Sequence, residues 1–176
     1  MSSTIVRSIR ELRSGDHIAW PTDKAPGLLE HHAIVVAANG NYVKVIHVVG
    51  LENSGSSCSG NVLDSSLFGS GNRRYSVREE LINLKVLKEN MKNEQLRRYD
   101  YAPGECNDSV QVIELARSKL GEFDFRCVSN NCEHFVRRCK TGNAVSCQVA
   151  SALSWITIGV PLFGLASLVL LLAVVH

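Results

Sequence analysis

Asn131-Cys132-Glu133-His134-Phe135-Val136 places a thiol at the first turn of an expected helix, where a thiol can serve as a nucleophile. A free cysteine ionises near pH ~8.5, and a helix N-terminus with a nearby imidazole lowers that by about one to several units, so the sequence predicts a populated thiolate at neutral pH. Such a nucleophile needs a base. His31 and His32 stand at the mouth of the apolar run Glu30-His31-His32-Ala33-Ile34-Val35-Val36, and His47 ends a second run, Val45-Ile46-His47. Thiol, base and a second imidazole to orient the base are the parts of a nucleophilic triad. Zinc is the rival use of His31, His47, Cys132 and His134, but no Cys-x-x-Cys or His-Glu-x-x-His spacing supports it. His134 lies two residues after Cys132, about 200° around a helix, so a structural role is expected for it and for Glu133.

The elements that must position these residues are short. Asp16 to Trp20 reads as a strand, Pro21 to Gly27 as the loop after it, and His31 to Ala38 with Tyr42 to Val49 as a hairpin around Asn39-Gly40-Asn41. Successive strand side chains alternate, so only one of His31 and His32 can share a face with His47. A two-residue Asn39-Gly40 turn gives pairs totalling 79 and sets His32 opposite His47; a three-residue loop gives pairs totalling 80 and places His31 on the face of His47. Register alone leaves both open. Residues 51 to 72, rich in Gly, Ser and Asn, read as a surface loop, and Tyr75 to Lys88 as a strand. Asn107 or Asp108 caps a helix that Gly121 ends, and a short strand spans Phe123 to Cys127. Ser129 or Asn130 caps the helix of Cys132, which Gly142 ends. The expected fold class is α+β: a small antiparallel sheet with two packed helices, plus a C-terminal transmembrane helix.

That last element comes from a break in composition. All 19 Lys and Arg and all 17 Asp and Glu residues lie at or before Lys140, and every residue from Val149 to Val175 is apolar or small. At 1.5 Å per residue this stretch reaches roughly 40 Å, enough to span a hydrocarbon core of about 30 Å. Its fourteen Leu, Ile, Val and Phe residues between Leu153 and Val175 favour insertion by roughly 4 to 8 kcal/mol. Arg137, Arg138 and Lys140 precede it and only His176 follows, which predicts a single-pass tail anchor with residues 1–142 in the cytosol and 143–176 as the anchor. In that reducing setting the six cysteines are read as thiols. Cys147 beside the tail is a weak S-acylation candidate. A net charge of +2 without a basic run argues against nucleic acid as a partner.

The order His31, His32, then Asn-Cys-Glu-His-Phe-Val resembles the lecithin:retinol acyltransferase family, in its branch of HRAS-like suppressors, the phospholipase A and acyltransferase proteins. The likeness extends to Gly15-Asp16-His17-Ile18, Val45-Ile46-His47, Thr141-Gly142 and Ser146-Cys147-Gln148-Val149. It implies a permuted relative of NlpC-type and papain-like folds. It also implies Cys132 as nucleophile, His31 as general base, since the family pattern is His, then Trp, Tyr or His, then Ala or Gly, and His47 as the orienting partner. By the same resemblance a glycerophospholipid donates its acyl group through a thioester, with water, an amine or a lysolipid as acceptor and no metal or cofactor. Retinol as acceptor, a cysteine peptidase or amidase, and a membrane-anchored interaction protein without turnover are the alternatives.

Overall fold

Apolar alternation on either side of Gly40 builds the central hairpin from which the rest of the sheet grows. In the computed structural model of this 176-residue chain, which describes residues 1–21, 30–51, 74–90, 95–126, 130–147 and 149–150, that hairpin is β3 (Glu30–Asn39) and β4 (Tyr42–Leu51). Around it lie β1 (Ser2–Ile5), β2 (His17–Pro21), β5 (Arg74–Asn83), β6 (Arg97–Asp100) and β7 (Gly121–Phe123). They form one seven-stranded sheet in the order β1-β6-β2-β3-β4-β5-β7. Every pairing is antiparallel. The helices are α1 (Leu84–Asn90), α2 (Ser109–Arg117) and α3 (Cys132–Thr141), with a 3-10 turn at Ile9–Glu11.

Both faces of the sheet are covered. Ile34, Ile46, Val48 and Val77 pack beneath α2 and α3 through Val112, Ala116, Phe135 and Val136. Ala33, Val35, Val43 and Val45 face the other way, onto Val6, Leu12, Leu84 and Leu96. Full burial of an Ile or Val contributes about 1.5 to 3 kcal/mol, so two such clusters account for a sheet without a solvated face. The expectation of two helices is corrected here. The strand expected over Tyr75 to Lys88 stops at Asn83, whose Oδ1 accepts from the backbone N–H of Lys85 and Val86 at 3.0 and 3.4 Å and starts α1. The second face thereby gains its own helix.

The hairpin turn is neither of the two forms considered above. It consists of Gly40-Asn41, with Gly40 at φ +58°, and closes on the pair Asn39↔Tyr42. Continued regularly, this register would set His47 opposite Ile34 and on the face of His32. A slip between Val35 and Ala37 prevents that, and the ladder arrives at Ala33↔His47. His31 therefore shares the face of His47. The irregularity is held from outside: Ser14 Oγ donates to the Val36 carbonyl at 2.8 Å, and the Gly15 N–H to the Val35 carbonyl at 2.8 Å.

Most of the Pro21–Gly27 loop, the 51–72 loop and the apolar tail beyond Ala150 lie outside the described residues. Among the described residues no helix is long and apolar enough to cross a membrane.

Gly15 joins three elements. Its N–H reaches β3, its carbonyl accepts from Lys140 Nζ of α3 at 3.0 Å, and a Cβ on it would stand 2.7 Å from Ser109 Cα at the start of α2. Its φ of +83° also disfavours any side chain. Gly15→Ala is expected to lower unfolding free energy by about 2 to 4 kcal/mol in urea titration; a loss below about 0.5 kcal/mol would show that this junction is soft.

Candidate active site

Cys132 is positioned by the cap of its helix. Asn131, with extended φ −94° and ψ −175°, accepts the His134 N–H on its Oδ1 at 3.1 Å, and the His134 ring Nδ1 returns to 2.9 Å from the same oxygen. Asn131, rather than Ser129 or Asn130, is thus the N-cap, and Cys132 is the first helical residue. Gly142 ends the helix at φ +76°, as expected. His134 closes the cap and Glu133 bonds elsewhere, which is the structural service read for both from the sequence.

The helix packs on the Ile34 face, whereas His31 and His47 stand on the Ala33 face. The β3–β4 ladder begins at Ala33↔His47, and there Cys132 Sγ lies 3.8 Å from the Glu30 carbonyl, with the backbone N–H groups of His32, Glu133 and Cys132 itself directed at the sulfur. His31 follows Glu30 directly and is 1 % exposed.

Behind His31 runs a relay whose proton positions follow from its last member. Glu80 Oε2 accepts from His47 Nε2 at 3.2 Å, because an ionised carboxylate can only accept. With the proton of His47 on Nε2, its Nδ1 accepts, and His31 Nε2–H donates into it at 2.8 Å. This leaves His31 Nδ1 as a bare lone pair. Among the described residues that nitrogen makes no hydrogen bond and is fully buried. Trp20, its ring centroid 4.7 Å from that of His31, fills the remaining side.

The electrostatics correct one expectation. Burial pushes the Cys132 thiol up to about 11, and the Glu133 carboxylate adds to the rise; the three backbone N–H groups work against it without winning. Burial likewise holds His31 well below its ordinary value, with His47 and then His32 as further causes. Both the Cys132 thiol and the His31 imidazole are therefore held toward their neutral forms, against the populated thiolate that the helix terminus alone suggests. The enclosure that excludes water dominates the helix dipole.

His32 takes the opposite face. Its Nδ1 lies 2.7 Å from His17 Nε2, and His17 Nδ1 lies 2.7 Å from the Tyr101 hydroxyl, which makes a second buried chain beneath α3. Burial lowers His32 to about 4; Glu133 opposes the shift and Arg137 adds to it. The structure thus joins His31 to His47, commits the His32 ring to His17, and places Cys132 Sγ at the carbonyl of Glu30, the residue before His31. Glu80 was missed from sequence. Its signal is parity: Glu80 pairs with Val45 and so shares the His47 face, while Glu79 faces α2 and takes Arg117 in two bonds of 3.0 Å.

Fold and site together define an α+β domain with a buried thiol at the start of a helix. The chain belongs to the lecithin retinol acyltransferase family, whose model matches residues 10–145. No curated protein and no solved structure matches it.

With the thiol raised to about 11, the alkylation rate of Cys132 by iodoacetamide, followed by peptide mass, is expected to climb about tenfold per pH unit from pH 7 to 9. A plateau already present at pH 5 to 8 would reveal a preformed thiolate–imidazolium pair.

Proposed function

We propose that the protein is a thiol-dependent phospholipase A and phospholipid acyltransferase, working through an acyl-cysteine thioester. The observation that carries this reading is the bare, buried Nδ1 of His31 at the end of the Glu80–His47–His31 relay, with a helix-terminal thiol 3.8 Å from the carbonyl of the preceding residue, in a chain of the acyltransferase family.

His31 Nδ1 removes the Cys132 proton as the sulfur attacks an ester carbonyl of a glycerophospholipid. Because burial penalises both charged forms, proton transfer accompanies bond formation rather than preceding it. The C–O bond then breaks, the His31 proton passes to the departing oxygen, and lysophospholipid leaves with the acyl group held on Cys132. The N–H groups of Cys132 and His32, already directed at the sulfur, are the donors nearest a developing oxyanion, and loss of one such donor typically costs about 3 to 4 kcal/mol. Water, activated by the same nitrogen, completes a phospholipase cycle; an amine or a lysolipid completes acyl transfer. His47 orients His31 and disperses the charge of the imidazolium toward Glu80.

Residues 1–142 supply the chemistry, and residues 143–176, with their uncharged apolar run, anchor it to a cytosol-facing membrane. Anchoring raises the effective concentration of a substrate that is itself confined to the bilayer.

Incubation with phosphatidylcholine micelles is expected to add one fatty acyl group to the intact mass of wild type and none to Cys132→Ala. His31→Asn is expected to slow acylation about 100- to 10,000-fold, and His32→Asn far less. Absence of both adduct and lysophospholipid in wild type would overturn the enzymatic reading, and a larger loss in His32→Asn than in His31→Asn would reverse the assignment of the base.

A further inference from the structure

The segment after α3 doubles back. Gly142 turns the chain in a left-handed conformation, and the Thr141 hydroxyl accepts the Asn143 N–H at 3.2 Å. The chain then returns to the first turn of α3. There Glu133, only 1 % exposed, accepts the Ser146 hydroxyl on one carboxylate oxygen at 2.5 Å and the Cys147 N–H on the other at 2.9 Å. Arg137, one helical turn further on, reaches Cys147 Sγ at 2.8 Å and Glu133 at 3.9 Å. Ser146 Oγ also accepts the Val149 N–H at 3.2 Å, and the Ala150 N–H bonds the Ser146 carbonyl at 3.1 Å, so a helical turn begins at this clamp.

The acyl-transfer chemistry makes no use of this. Had the chain continued straight from Gly142, the uncharged tail would leave the domain at the far end of α3, about 14 Å from Cys132 for a helix of this length. Instead it leaves beside residue 133, the neighbour of the thiol. Burying a carboxylate is costly unless its lone pairs are occupied, and here the donors that occupy them come from the root of the tail. The flanks suit a lipid surface: Val145 is 50 % and Met1 49 % exposed, and Arg137 Nη1 lies 3.4 Å from Met1 Sδ.

We infer that Glu133 and Ser146 are positioning residues that fix the root of the apolar tail at the Cys132 end of α3, so that the mouth of the site faces the bilayer carrying its substrate. This rests on the membrane-anchored acyltransferase reading above. The clamp sets delivery of lipid to the thiol, not the chemistry of the thiol.

The test uses the full chain in phosphatidylcholine vesicles, with Trp155→Phe so that Trp20, beside His31, is the single tryptophan. Quenching of Trp20 by a headgroup-nitroxide lipid reports how near the site lies to the bilayer. Ser146→Ala is expected to lose most of that quenching and to lower turnover of bilayer phosphatidylcholine about tenfold or more, as effective concentration falls. Turnover of a water-soluble short-chain ester is expected to stay within about twofold, and Ser146→Thr, which keeps the hydroxyl, to restore both bilayer readouts. Unchanged quenching in Ser146→Ala overturns the inference, as does a parallel loss on both substrates. If wild type turns over neither substrate, the acyltransferase reading fails, and quenching alone decides for or against the clamp.

Discussion

The hydrogen bond from His31 to His47 exists because one strand of the central hairpin carries an extra residue. The Gly40-Asn41 turn establishes a register in which His47 would face His32, and the slip at Val36 converts it into one in which His47 faces His31. A one-residue difference in a β-ladder exchanges every side chain between faces. Here it decides which of two adjacent histidines bonds His47 and which is committed to the buried chain of His17 and Tyr101. Ser14 and Gly15 hold the irregular strand in place, and Gly15 also receives Lys140 from α3. The same short segment therefore sets the face of His31 and ties down the helix of Cys132.

The site is assembled across the sheet rather than on one side of it. Cys132 belongs to the helical face and the histidine relay to the other, and the sulfur lies 3.8 Å from the carbonyl of Glu30, where β3 and β4 part. The arrangement explains the depth of burial. A thiol and an imidazole enclosed between two packed layers are both held neutral, and the backbone N–H groups around the sulfur offset only part of the desolvation. A preformed ion pair would need solvent or a stronger compensating charge. What the fold provides instead is a buried His31 bonded through Nε2 to His47, with Nδ1 left bare.

Much of this was legible in the sequence, for local reasons. The alternating runs around Gly40, the helix closed by Gly142 and the cap at Asp108 depend on neighbours along the chain, and they appear where the pattern places them. Cys132 and the hairpin histidines stood out because chemistry restricts the residue types, and only the family resemblance preferred His31 to His32. What could not be read depends on contacts distant in sequence. The bulge has no residue signature, as Val36 looks like any other strand valine. Glu80 is one charge among several on β5, and its partnership with His47 follows from a pairing register that only the assembled sheet defines. The thiol was misjudged for the same reason: the helix terminus is local and visible, whereas the burial that outweighs it is a property of two layers.

The central claim is that Glu80, acting through His47, fixes the tautomer of His31 with Nδ1 bare. Nitrogen-15 NMR of the histidine side chains at pH 7, assigned with His31 and His47 variants, measures this directly. The account predicts a neutral His31 protonated on Nε2 with an unprotonated Nδ1, and loss of that single tautomer in Glu80→Gln. A His31 protonated on Nδ1, or on both nitrogens, would contradict it.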